Sequence, residues 1–284
     1  STDPTSFAVY GYNKYFSDRN NNVIMRLSKS GLDEISRFNM VDYFRDNLGS
    51  LPVAGVEGKI LGGYDIYNKQ YVVSTQEPNN NTIDSGYDTL AFDENVKGWT
   101  SFFSYKPDQM FSLGSQFYSL NSGKLYQHYS QSGTRNVFYD QTQTPTSITF
   151  VFNPSVAASK NFKTVSYEGS NGWQVDSFVS DTFTLQPNIN QDLDKTNSVK
   201  SYEEGLYTEG GIPYRAGFYL KENKYYANLV NNSEATPGEV VFGSSMTGIK
   251  GYFATVKLST DSTTRPGGTK ELFAVSTEFA VSSR

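Results

Sequence analysis

The chain contains no cysteine and one histidine, and none of its apolar runs approaches the roughly 20 residues that a membrane-spanning helix needs. Each absence removes a class of function. Without cysteine there are no disulfides, no thiol catalysis and no thiolate-bound zinc or iron–sulfur site. With His128 as the only histidine, any Ser-His-Asp triad would have to form around that residue. It sits in "LYQHYS" on an expected strand, and no G-x-S-x-G turn supplies a nucleophile, so a packed or interfacial histidine is the default. Basic residues are also sparse: 24 Lys and Arg against 29 Asp and Glu give a net charge of −5. Neither a nucleic-acid groove nor an anionic membrane surface is expected of such a chain. The opening "STDPTSFAVYGY" has neither Met nor a signal-peptide core, so the expectation is a processed chain or a piece of a longer one.

Aromatic and small polar residues are abundant. There are 21 Tyr, 20 Phe and 24 Gly but only 10 Pro in 284 residues, with few runs of the residues that fill helices. That composition suits pleated, half-buried surfaces and predicts a mainly all-β protein of one or two domains. Residues 7–36 read as strand, polar turn ("SDRNNN") and strand. In "RFNMVDYFRDNLGS", Val41, Phe44 and Leu48 recur at helical spacing before Gly49, which predicts the one short helix. Hairpin signatures return in "KILGGYDIYNKQYVVSTQ", "TLAFDENVKGWTSFFSY" and "GSQFYSLNSGKLYQHYS". Their common unit is an aromatic, an Asp or Asn, a polar turn and a strand. Several such hairpins at near-regular spacing predict a propeller-like region over 1–140, with too few blades to close a ring alone. Gln, Thr and Pro interrupt the pattern near 140–146. Seven further short alternating segments predict a second β-rich module over 141–284, of sandwich or barrel type, with 184–205 as its longest polar loop.

Three local patterns suggest ligands. "GSSMTGIKGY" (243–252) approaches a phosphate loop, but Ile249 stands where Lys is needed and a strand follows instead of a helix. "DLDKTNSVKSYE" places Asp192, Asp194 and Glu203, with Thr196 and Ser198, at calcium-loop positions. Asn197 replaces the turn glycine, Lys200 adds a positive charge, and no amphipathic helices flank the loop; a solvated acidic loop is the better reading. "NNT" at 80 and "NNS" at 231 fit the N-glycosylation pattern. The turn "DENVKGWTSF" bears a faint likeness to the Asp-box of sialidase propellers, which is itself an architectural element, and plentiful carboxylates leave a glycoside hydrolase as a minor alternative. No cofactor is expected. Phe92, Trp99, Phe102, Tyr105 and Trp173 are expected to serve packing and subunit contact, with Asp93 and Glu94 as turn residues.

The longer motifs carry a resemblance. "FDExxxGWxSFxSY", "YxLNSGKLYxH", "NFKTxxYEGS" and "MTGIKGYFATVKLSTD", together with the opening "VYGYNKYFSDRNNNVIMRLSKSGLDEIS", resemble large tail-associated virion structural proteins of tailed bacteriophages, including marine and crAss-like phages. What the resemblance implies is a non-enzymatic virion component of the tail apparatus. Its expected partners are other copies of itself and neighbouring tail proteins, with a host surface receptor or glycan as the partner in the alternative reading.

Overall fold

The computed structural model describes residues 3–51, 58–77, 86–180, 205–209, 212–229, 249–261 and 264–281. The chain divides into two compact units. The first comprises 1–133 and 137–142, and the second comprises 134–136 and 143–284.

The first unit opens with a 3-10 turn, Pro4–Ser6, and then builds three antiparallel meanders. Sheet one holds β1 (Ala8–Tyr10), β2 (Asn13–Asp18), β3 (Val23–Ser28) and β4 (Gly31–Glu34) in sequential order. Sheet two holds β5 (Lys59–Asp65), β6 (Gln70–Gln76), β7 (Tyr87–Asp93) and β8 (Gly98–Phe103). Sheet three holds β9 (Gln109–Leu113), β10 (Gln116–Asn121) and β11 (Lys124–Gln127). Residues 7–36 thus form four strands, where the sequence pattern predicts two, because β1 and β4 are too short to show alternation. Strand β9 likewise joins the expected 114–130 hairpin as a third member.

Three of the turns share one construction. Asp18, Asp65 and Asp93 end their strands, a four-residue loop follows, and its last residue (Asn22, Lys69 or Lys97) takes a positive φ of 54–59°. Each carboxylate accepts a hydrogen bond from the backbone N–H two residues on, and Asp65 and Asp93 also from the N–H three residues on. A short side-chain acceptor at that position replaces the missing ladder bond and fixes the loop. The β10–β11 turn differs: Ser122 and Gly123 both have positive φ, which is the two-residue hairpin turn that asparagine-glycine-like pairs favour.

The sheets pack face to face and are closest along their first strands, with β5 beside both β1 and β9. Two glycines permit this. A Cβ at Gly62 would overlap the Ser6 carbonyl, and one at Gly63 would lie 2.8 Å from the Met110 Cβ. Away from the first strands the gap is filled. Helix α1 (Val41–Ser50) puts Phe44 and Leu48 into the core between sheets one and two, alongside Tyr15, Ile24, Tyr71, Val73 and Phe92. Val41, expected on that face, is exposed, and Gly49 lies inside the helix instead of stopping it. Between sheets two and three lie Leu61, Val72, Ala91, Tyr105, Met110 and Phe117. Sheet two is therefore apolar on both faces. The sheets do not close into a ring among the described residues, and a propeller is not shown.

The second unit contains β12 (Ser147–Phe152), β13 (Lys160–Gly169), β14 (Trp173–Ser180), β15 (Gly205–Glu209), β16 (Ile212–Ala216), β17 (Tyr219–Lys221), β18 (Lys224–Asn228), β19 (Ile249–Gly251), β20 (Ala254–Thr260) and β21 (Leu272–Val281). A three-stranded sheet runs β12-β20-β14. A five-stranded one centres on β13, with β18 and β19 along one edge and β21 along the other, and β15 pairs with β16 alone. Phe162, Val165 and Tyr167 of β13 meet Trp173, Val175 and Phe178 of β14 and Val256 and Leu258 of β20 in one core.

Candidate functional site

The stretch 92–105 concentrates the groups that the sequence makes conspicuous, and the fold assigns each a contact. Asp93 accepts from Asn95 N at 2.7 Å, from Val96 N at 3.3 Å and from the Gln70 amide at 3.2 Å. Burial alone would raise its pKa, but these donors outweigh it and hold the carboxyl below the usual value. Glu94 reaches back to sheet one. One oxygen accepts the Tyr15 hydroxyl at 2.5 Å, the other pairs with Arg26, and Arg26 also holds Asp33 at 2.8 Å. Burial and the adjacent carboxylate push the Tyr15 phenol far up, so it remains a donor at any ordinary pH.

Phe92 is fully buried. Trp99 packs at 5.4 Å from it and 4.6 Å from Phe44, and its indole N–H donates to the Ile35 carbonyl at 3.1 Å. Phe102 stays 59% exposed, with its ring edge against Tyr43. Tyr105 belongs to the opposite face of sheet two. It is buried among Phe103, His128, Phe138 and Tyr139, and its hydroxyl has no hydrogen-bond partner among the described residues. Trp173 lies in the core of the second unit, donating to the Glu271 carbonyl at 3.1 Å. The structure thus brings Phe92 and Trp99 together and leaves Tyr105 and Trp173 in separate cores.

His128 is also a packing residue. Its Nε2 lies 2.7 Å from the Ser119 hydroxyl, which in turn accepts from the Tyr139 hydroxyl at 2.8 Å. Burial pushes its pKa down to about 4, so the ring is neutral at pH 7. Among the described residues no carboxylate hydrogen-bonds to it, and the serine beside it is buried.

The turn acids have partners that spacing does not reveal. Asp65 is buried and accepts the Tyr129 hydroxyl at 2.6 Å, joining the β5–β6 turn to the segment after β11. Arg26, Asp33, Glu34, Arg37, Phe38 and Lys97 line an open pocket of about 280 Å³ together with Leu32. Asp33 and Glu34 occupy successive positions of β4, whose side chains leave opposite faces, and Asp33 is already paired with Arg26. They do not form a facing carboxylate pair.

Among the described residues no cluster of metal-ligating side chains occurs. Asp192, Asp194 and Glu203, both glycosylation patterns and residues 243–248 of the glycine-rich segment lie outside the described residues; 249–251 of that segment are strand β19.

The acidic turns, the tryptophans and the histidine thus serve the packing of a β-rich protein. Comparison with known families makes this specific. The model described as Crassvirus muzzle protein matches residues 13–123, and the one described as Crassvirus muzzle protein C-terminal domain matches 133–232. The two matches follow one another and together cover most of the chain, which belongs to the Crassvirus muzzle protein family and is a virion structural protein of crAss-like phages. No curated protein matches it.

Proposed function

We propose that the chain is a non-enzymatic scaffold of the tail or tail-associated apparatus, acting through subunit contacts in a symmetric assembly, with its first unit forming part of a propeller-like ring. One observation carries this reading. The chemically conspicuous groups of the first unit (Asp65, Asp93, Glu94, His128) are each engaged in joining turns or sheets, in a chain that matches a virion protein family. Rigid antiparallel sheets with aromatic faces suit repeated subunit contacts.

A receptor- or glycan-binding module at the tail tip is the second reading. Tyr12, 69% exposed under the Lys29 ammonium, and the half-exposed Tyr67, stacked on Tyr129, favour it, since such rings stack on sugars. A density map of a crAss-like virion, combined with a glycan array probed with the full chain, tests both. The scaffold reading expects the chain in repeated copies within the tail and no saccharide signal. Saccharide binding by a chain standing alone at the tip would favour the second reading.

A further inference from the structure

Asn171, in the turn between β13 and β14, meets Lys270, just before β21, although 99 residues separate them. The two segments are pinned together on either side of this pair. The Ser170 N–H donates to the Glu271 carbonyl at 2.9 Å, the Glu271 N–H to the Ser170 hydroxyl at 2.8 Å, and the Trp173 indole to the same Glu271 carbonyl at 3.1 Å. Two glycines admit the approach: a Cβ at Gly169 would overlap the Glu271 carbonyl, and one at Gly172 would overlap the Lys270 Nζ itself. The ammonium so placed donates to the main-chain carbonyls of Asn171, at 3.2 Å, and of Thr264. The side-chain amide of Asn171 starts only a few bonds from the oxygen that Nζ touches, and its Oδ1 is buried with no hydrogen-bond partner among the described residues. Asp261 completes the group. It is buried, its N–H donates to the Gly172 carbonyl at 2.9 Å, and its Oδ1 accepts the Thr264 N–H. Burial lowers the pKa of Lys270; the Asp261 carboxylate opposes this and the Arg265 guanidinium adds to it, and the balance lies below the ordinary lysine value. The amine is thus easier to free from its proton than that of a surface lysine.

A nucleophilic amine, an amide carbonyl and a carboxylate held together by the surrounding hydrogen bonds are the parts of an acyl transfer. We propose that Lys270 and Asn171 join in an intramolecular isopeptide bond, with Asp261 carrying the proton. The ammonium gives one proton to the Asp261 carboxylate, and the freed amine attacks the Asn171 Cγ. A second proton passes from the attacking nitrogen to Nδ2, the Cγ–Nδ2 bond breaks, and ammonia departs, taking the first proton from Asp261 as it leaves. One Nζ–Cγ amide is formed and one ammonium ion is lost; Asp261 ends as it began, and nothing is oxidised or reduced. In a chain without cysteine this bond does the work of a disulfide. It ties the β13–β14 turn to the start of β21 and closes a long loop in the unfolded chain. The proposal goes beyond the scaffold reading and does not depend on it.

The test is mass spectrometry of the purified, folded full chain, intact under denaturing conditions and then after proteolysis. The wild type should weigh less than its sequence by one ammonia, and tandem spectra should show the peptides bearing Asn171 and Lys270 joined. Cyclisation of Asn171 onto the Gly172 nitrogen also expels ammonia, so the variants separate the two reactions. Lys270→Arg keeps the positive charge and Asn171→Ala keeps the main-chain carbonyl that Lys270 touches; both should have their full mass and separate peptides. Asp261→Asn keeps an acceptor for the Thr264 N–H but cannot take the proton, and should be left mostly unlinked, since losing a general base slows such a step by about 100-fold or more. A folded wild type of full mass, with the two peptides separate, overturns the proposal. So does an ammonia loss that persists in Lys270→Arg, which assigns it to cyclisation at Asn171. Linkage at the wild-type level in Asp261→Asn overturns the role given to that carboxylate.

Discussion

Glu94 shows how an acidic residue in a turn can be architectural. Its two oxygens divide between the Tyr15 hydroxyl and the Arg26 guanidinium, so one side chain of a β7–β8 loop fixes two strands of the preceding sheet. The pair is partly exposed, Arg26 at 19% and Glu94 at 24%, which reduces its Coulombic share below that of a fully buried pair. Glu94→Ala leaves the Tyr15 hydroxyl without its carboxylate acceptor and Arg26 with Asp33 alone, and should lower unfolding stability by about 2 kcal/mol in urea titrations. Trp99→Ala removes a ring wedged against Phe44 and Phe92 together with its bond to Ile35; a loss of about 3 kcal/mol is expected, enough to unfold the first unit or abolish assembly. Intact, assembled protein in that variant would refute the assignment. His128 titrates in the opposite sense to a salt-bridged histidine. Its folded pKa, about 4, lies below the ordinary 6.5, so protonation favours the unfolded chain. The stability it secures is complete above pH 6.5 and is lost as pH falls from 6.5 towards 4, by roughly 3 kcal/mol. Unfolding midpoints measured across that window should fall steeply in the wild type and less steeply in His128→Gln.

At the scale of elements, legibility followed local chemistry. The hairpins around Asp65, Asp93 and Asn121-Ser122-Gly123 were legible because their turn residues and alternating strands lie within about 20 residues of one another. Strands β1, β4 and β9 were not, since three to five residues carry too little periodicity to distinguish from a loop. Helix α1 was legible from Phe44 and Leu48, but its end was not. Gly49 reads as a stop, yet the helix continues through Ser50 to an extended Leu51. The tight approach at Gly62 and Gly63 was hidden for a different reason, because what touches them, Ser6 and Met110, is more than 40 residues away in sequence. Gly62→Ala should therefore be disproportionately harmful. The new methyl collides with the Ser6 carbonyl, which also accepts the Tyr71 hydroxyl at 2.7 Å, and a loss of about 3 kcal/mol is expected in thermal or urea unfolding. Alanine at Gly114, where nothing lies within 4 Å but φ is positive, should cost less, about 1 kcal/mol.

At the scale of the whole molecule, composition and hairpin spacing indicated a β-rich chain, and the resemblance carried by its longer motifs indicated a virion protein, which the muzzle family matches establish. The contacts that make the acidic turns structural were not visible, because Glu94 meets Arg26 across 68 residues and Asp65 meets Tyr129 across 64. Side-chain type announces that a carboxylate is present; only the fold decides whether it faces a substrate or a phenol. Subunit contact in an assembly, proposed from the family matches and the packed meanders of the first unit, is the claim on which the scaffold reading turns. It is tested most directly by the sedimentation of the purified full chain over a range of concentrations. Species heavier than a dimer that grow with concentration are expected. A single folded monomer at every concentration would contradict it.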